Sequence, residues 1–180
     1  MITIIQATNR PDSNTEYISR HVQDLVSAAS PGPVGYVSMR DLPPEILFCD
    51  PYEQASMPKK LMAIQDQFMI PATHFIWIIP EYNGSFPGVV KLFIDALSVR
   101  FYEETFPFKK SAVIGITSGR SGNIRGMDHL ASILMHMKCI IYPKLLPISR
   151  ILEQMDDQGH LTSDQTIRSL DSHVRGFLSF

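Results

Sequence analysis

"HFIWIIPEYNGSFPGVVKLFIDAL", residues 74–97, joins three kinds of segment in one run. His74 to Ile79 has no polar face, the pattern of a strand buried from both sides in a parallel sheet covered by helices. Pro87 to Ser98 has helical spacing, with Pro in the first turn, where its missing N–H leaves no bond unmade. Between them lies a polar knot, Pro80-Glu-Tyr-Asn-Gly-Ser85. Asn83-Gly84 can supply the positive φ angles of a tight turn, and Ser85 is placed to cap the helix that follows. The same knot can aim backbone N–H and C=O groups at one planar ligand, with Tyr82 as an aromatic wall. On the residues alone, a capped entry turn and a ligand loop stand level.

Working outward, Ile2 to Gln6 reads as a buried strand and Asn14 to Ala29 as an amphipathic helix, with Ile18, Val22, Leu25 and Val26 on one face. Ser30-Pro-Gly-Pro33 stops it. Val34 to Ser38 is a short strand. Met39 to Ser56 is Pro-rich and irregular, with room for one helical turn, and Pro58 to Met69 is helical. Beyond the quoted stretch come a strand at Ser111 to Thr117, a helix at Asn123 to Met137 and a strand at Cys139 to Tyr142. A turn at Asp157-Gln-Gly-His160 and a helix at Ser163 to Leu178 close the chain. Strands alternate with helices throughout. This predicts an α/β fold, a parallel sheet with helices on both faces, in one domain over residues 1–180.

Composition narrows the function. The chain is 44% hydrophobic and 19% charged, ordinary for a globular protein, and its net charge of −2 lacks the basic excess of a nucleic-acid binder. The longest apolar run, Phe75 to Pro80, is too short to span a bilayer, so neither nucleic acid nor membrane is expected as a partner. Met-Ile-Thr-Ile-Ile lacks the charged start of a signal peptide, and none is expected. Cys49 and Cys139 lie far apart, which fits free thiols in a reducing compartment, and a cytoplasmic location is expected. Cys139, in a strand, reads as a small buried hydrophobe. Cys49 is in a loop, with reactivity the lesser expectation. The six histidines show no HExxH or similar metal spacing, and no GxSxG signals a nucleophile elbow. His129 and His136, seven apart on one helix, suit a surface or an interface better than ligation.

In an open α/β sheet, ligands bind beyond the carboxyl ends of the strands. Three such ends carry polar loops: Ala7 to Thr15, Pro80 to Ser85, and Ser118-Gly-Arg-Ser-Gly-Asn123. The first runs into a helix N-terminus, which offers free N–H groups and partial positive charge. Thr8, Ser13 and Thr15 add hydroxyls, Asn9 and Asn14 amides, and Arg10 a fixed charge. Together they suit a phosphate monoester, although Ser13 or Asn14 acting as a simple cap would explain one of them. No Walker lysine and no GxGxxG follow the first strand, so a mononucleotide fits better than a dinucleotide. In the third loop, Gly119 and Gly122 allow close backbone approach and Arg120 can meet an anion.

The run Pro80-Glu-Tyr-Asn-Gly-Ser-Phe-Pro-Gly-Val-Val-Lys-Leu-Phe-Ile-Asp95 closely resembles the signature of the NADPH-dependent FMN reductases, relatives of quinone, chromate and azo-dye reductases. The resemblance extends to the first loop, to Pro107-Phe-Lys-Lys110, to Ser118–Arg125 and to the turn near residue 158. It departs at Ala7-Thr-Asn-Arg10, where the family commonly has Gly-Ser before Arg, at Leu92 for Asn and at Ala96 for Trp. The resemblance implies a flavodoxin-like, five-stranded parallel sheet in the order 2-1-3-4-5. It implies FMN as cofactor, its phosphate on Thr8, Arg10, Ser13, Asn14 and Thr15. The ring would lie on Pro80, Glu81, Tyr82, Asn83, Gly84 and Ser85, with Ser118, Gly119, Arg120 and Gly122 on its other side. NADPH or NADH would be co-substrate and a quinone, flavin or similar small molecule the acceptor, in ping-pong order. Arg10 and Arg120 are candidates for the phosphates of NADPH, and no catalytic side chain is implied. A homodimer or homotetramer is expected, with Phe101, Tyr102 and Phe106 near its interface or the flavin edge. A non-enzymatic electron carrier, or a partner-binding protein on the same scaffold, stays open.

Overall fold

Ile2–Gln6 (β1), Val34–Ser38 (β2), His74–Pro80 (β3) and Lys110–Ile116 (β4) lie side by side as parallel strands. The structure is a computed structural model describing residues 1–48, 50, 53 and 56–180. Cys49, and the reactivity considered for it, lie outside the described residues. With Ile140–Ile141 (β5), the sheet order is β2-β1-β3-β4-β5, as expected, and Leu146–Ile148 (β6) also pairs with β4. The expected fifth strand is therefore split. Ile140 faces Lys110 and Leu146 faces Ile114, so the edge segment carries two more residues than β4 over the same span. Pro143 falls in the looped-out part, where a strand would need an N–H that proline lacks.

Among the described residues the α-helices are Asn14–Ala29 (α1), Lys59–Ile64 (α2), Gly88–Leu97 (α3), Tyr102–Thr105 (α4), Ile124–His136 (α5) and Asp164–Leu178 (α6). Successive β3 side chains point to opposite faces. Ile76 and Ile78 pack with Ile18 and Val22 of α1 and Leu170 and Phe177 of α6. Phe75, Trp77 and Ile79 pack with Leu61 of α2, Phe93 of α3 and Leu130 of α5. All five of these β3 residues are fully buried, which accounts for a strand with no polar face. Helix α2 continues as a π-helical turn at Gln65–Met69, and the segment 39–48 holds two short 3-10 turns where one was expected.

The aromatic segment divides between the core and the surface. It leads into the amino end of β4, whereas the three polar loops leave the carboxyl ends, so within its own chain it lies at the opposite edge of the sheet from them. Phe106 is fully buried in its own chain and Tyr102 packs against the same core, while Phe101 stays 49% exposed. The cause is Gln65, whose buried Nε2 donates to Leu97 O, Arg100 O and Thr105 Oγ1 and folds the segment inward. Cys139 is buried, as expected, and its S–H donates to Phe106 O at 3.2 Å. Burial pushes its thiol pKa up to about 11.

Candidate functional site

Because β1, β3 and β4 are parallel neighbours, their carboxyl ends set the three loops side by side. Hydrogen bonds lace them together. The Thr8 and Tyr82 hydroxyls are 2.8 Å apart, Glu81 N donates to Ile116 O at 3.0 Å, and Asn123 Nδ2 donates to Ile79 O at 3.2 Å. Ser121 Oγ donates to Glu81 Oε2 at 2.5 Å.

Local chemistry fixes the first loop. Ser13 is extended (φ −94°, ψ 142°) and caps α1, its hydroxyl accepting from Glu16 N at 3.3 Å. Gln6 Nε2 also donates to that oxygen at 3.4 Å. A capping oxygen accepts, so the Ser13 proton remains free to be donated. Thr8 is buried, and its oxygen accepts from Arg10 N at 3.2 Å besides meeting Tyr82. These residues open onto a cavity of about 250 Å³. Arg10, Asp12, Ser13, Asn14 and Thr15 line it from the first loop with Thr8, and Pro80, Glu81 and Tyr82 from the second. Ile116, Thr117 and Ser118 close it from β4, and Ile151 and Leu152 from the segment after β6. Among the described residues, the Arg10 guanidinium has no side-chain partner.

The second loop is a two-residue hairpin. Tyr82 N donates to Ser85 O at 2.8 Å and Ser85 N to Tyr82 O at 3.0 Å, across Asn83 (φ 51°) and Gly84 (φ 78°). The two positive φ angles are those the Asn-Gly pair is suited to supply. Ser85 is not the helix cap that its position suggested. Its backbone is used by the hairpin, and its hydroxyl lies 2.9 Å from His129 Nδ1 on α5. Pro87 holds the cap position of α3 with no side-chain bond, one residue before the first turn in which it was expected.

In the third loop, Gly122 is glycine for packing. At φ 62° an added Cβ would stand 2.4 Å from Pro147 Cβ, so that face packs against β6. The segment after β6 is stitched to this loop: Arg150 N donates to Gly119 O at 2.7 Å, Ile151 N to Thr117 O at 3.1 Å, and Ser149 Oγ to Arg120 O at 2.8 Å. A second cavity, about 340 Å³, is lined by Glu81, Gly84, Ser121, Ile124 and Arg125, and shares the Glu81 wall with the first.

Of the residues singled out by sequence, Thr8, Arg10, Ser13, Asn14, Thr15, Pro80, Glu81, Tyr82 and Ser118 meet around the first cavity, and Gly84 lines the second. Asn83, Ser85, Gly119, Arg120 and Gly122 line neither. Sequence reading missed Asp12, whose carboxylate opposes an anion in this cavity, and the apolar wall of Ile151 and Leu152. Leu152 is 66% exposed although it borders a polar cavity, and the backbone pairing of Arg150 and Ile151 with Gly119 and Thr117 brings it there.

The chain is similar to known proteins in sequence and in fold. The family model described as NADPH-dependent FMN reductase matches residues 1–152. An NAD(P)H-dependent FMN reductase of Pseudomonas aeruginosa is 28% identical over 152 residues, 83% of this chain and 79% of the relative. A 2-hydroxy-1,4-benzoquinone reductase of a Burkholderia species is 24% identical over 175 residues, 96% of this chain and 91% of the relative. Among solved structures, the flavoenzyme NAD(P)H:acceptor oxidoreductase of Paracoccus denitrificans superposes with a TM-score of 0.78 at 23% identity, covering 99% of this chain and 94% of that one.

Proposed function

This chain belongs to the NADPH-dependent FMN reductase family, and we propose that it passes reducing equivalents from NADPH or NADH to a quinone, flavin or similar small acceptor in ping-pong order. It is an oxidoreductase of the FMN- and NAD(P)H-dependent kind. The observation that carries the reading is the first cavity. There Arg10, which has no side-chain partner among the described residues, lines the cavity together with Ser13 and Thr15 at the start of α1. A guanidinium, hydroxyl donors and a helix N-terminus are the donor set that a phosphate monoester such as that of FMN requires.

In this reading Arg10, Ser13, Asn14 and Thr15 hold the phosphate, and Thr8 fixes the loop by its bond to Tyr82. Pro80 to Ser85 on one side and Ser118 to Gly122 on the other flank the ring. The redox chemistry is the flavin's own, transfer of a hydride equivalent from the nicotinamide to the acceptor. The chain's part is to bind, orient and exclude water, and no side chain is assigned as acid or base. Residues 1–180 act as a single flavodoxin-like FMN-binding domain, in the cytoplasm, as a homodimer or homotetramer. No helix among the described residues is long and apolar enough to cross a membrane.

An absorption spectrum tests the proposal. The purified protein, given FMN and then NADPH under argon, should bind the flavin and bleach its visible band, and a quinone should restore it. Binding without turnover, with a stable semiquinone, would mark an electron carrier instead. No FMN binding would sink the reading.

A further inference from the structure

The hairpin after β3 is held unevenly along its length. Its near end is fixed twice: Glu81 N donates to Ile116 O, and the Tyr82 and Thr8 hydroxyls meet at 2.8 Å. Its far end has one side-chain hydrogen bond among the described residues. Ser85 Oγ lies 2.9 Å from His129 Nδ1, in the second turn of α5. Phe86 packs against the core just beyond, but apolar packing carries no direction. Between the two ends, Tyr82 and Ser85 spend their N–H groups on each other. The N–H groups of Asn83 and Gly84, at the tip, have no partner among the described residues.

The third loop and α5 tie to the segment after β3 at three points. Asn123 Nδ2 donates to Ile79 O and Ser121 Oγ to Glu81 Oε2. Both of these reach the base of the hairpin. The bond from His129 reaches its far end. It works in either direction, because a hydroxyl can donate to a bare ring nitrogen or accept from a protonated one. The tether therefore needs no particular tautomer.

We propose that His129 is a positioning residue for the flavin reaction: through Ser85 it holds the Asn83–Gly84 tip, with its uncommitted N–H groups, in place for the ring. The inference rests on the flavin reductase reading above, in which Pro80 to Ser85 flank the ring. It adds to that reading a residue of α5 that lines neither cavity. Donors fixed in advance need no reorganisation when negative charge develops in front of them. Loosening the hairpin should weaken ring binding and make the ring harder to reduce. One neutral hydrogen bond is worth roughly three- to tenfold in such a constant.

The test compares wild type with His129→Ala, His129→Asn, Ser85→Ala and the variant carrying both alanines. Position 129 is exposed on a helix, where alanine is well tolerated, and melting without flavin checks that each variant is folded. Kd is measured for FMN and for riboflavin, the midpoint potential for bound FMN, and amide exchange over residues 82–85 without flavin. His129→Ala should weaken both flavins by the same factor, lower the potential and speed exchange in the hairpin. A phosphate contact would instead weaken FMN alone. Asparagine places an amide where Nδ1 stood, so His129→Asn should restore most of each value. Ser85→Ala should match His129→Ala, and the double variant should lose no more than either single one. Unchanged flavin binding in His129→Ala would overturn the inference, whatever the exchange shows, and leave the function standing. So would a loss confined to FMN, an asparagine variant no better than alanine, or additive losses in the double variant. A wild-type protein that binds no FMN would remove the reading beneath it, and the inference with it.

Discussion

The Tyr82 hydroxyl lies 2.8 Å from the Thr8 hydroxyl and ties the loop after β3 to the loop after β1. Both residues line the first cavity, so the bond sets the spacing of its two walls. Tyr82→Phe removes it without orphaning Thr8, whose oxygen still accepts from Arg10 N. A hydrogen bond of this kind is worth about 1 kcal/mol, or roughly 2–4 °C in Tm for a chain of this size. We expect that drop in a thermal melt and a several-fold weaker FMN Kd. A variant with both values unchanged would show that the two loops are spaced by something else.

Asp12 sets up a second expectation. It lines the same cavity at φ 49°, so its carboxylate shares space with the phosphate proposed to bind there. Asparagine tolerates the left-handed region and removes the charge. Asp12→Asn should tighten FMN by roughly two- to fivefold, as expected for one exposed like charge. Riboflavin, which lacks the phosphate, should bind as before. Equal tightening of both ligands would locate the effect in loop conformation.

The parts of this site that were legible in sequence are those with a local cause. The buried face-to-face pattern of His74 to Ile79, the Asn83-Gly84 turn and the Ser13 cap each follow from neighbouring residues, and each is present. What was not legible depends on partners far along the chain. Ile151 and Leu152 reach the cavity only because Arg150 and Ile151 pair with Gly119 and Thr117, and no motif marks that pairing. Ser85 looks like a cap by position but is drawn to His129, 44 residues away. The burial of Phe106 was not legible either, because it accompanies the bonds that Gln65, a polar residue on a distant helix, makes to this segment. The resemblance to a family supplied the cofactor, which no spacing of residues specifies alone.

Gly115 and Gly122 make the third loop possible. An added Cβ on Gly115 would stand 2.4 Å from Gly122 O, and one on Gly122 would stand 2.4 Å from Pro147 Cβ and 3.0 Å from its Cα. Both obstacles involve backbone or a rigid ring, so neither yields cheaply. Gly122→Ala adds the strain of a positive φ, and the total should be about 2–4 kcal/mol. The loop should shift before the core gives way. The expected result is a Tm lower by several degrees together with weakened FMN binding, read by melting with and without FMN. Gly119→Ala, whose Cβ would meet only Thr117 Oγ1 at 3.6 Å, is the control and should change Tm little.

His173 should govern part of the acid sensitivity. It lies fully buried on α6, edge-on to Tyr142 with ring centroids 5.4 Å apart, and neither ring nitrogen has a partner among the described residues. Burial, helped by the charge of Lys144, lowers its pKa from 6.5 to about 4. Between these values the unfolded chain binds a proton that the folded chain refuses. Stability from this residue is therefore complete above pH 6.5 and is lost as the pH falls toward 4. At pH 5 the loss is roughly 2 kcal/mol. His173→Phe keeps a ring against Tyr142 and removes the titration. Urea unfolding at pH 7.5 and pH 5 should show the wild type losing about that much more than the variant. If the two proteins lose stability in parallel, the acid sensitivity belongs to other groups and the His173 side chain is already protonated or solvated in the folded chain.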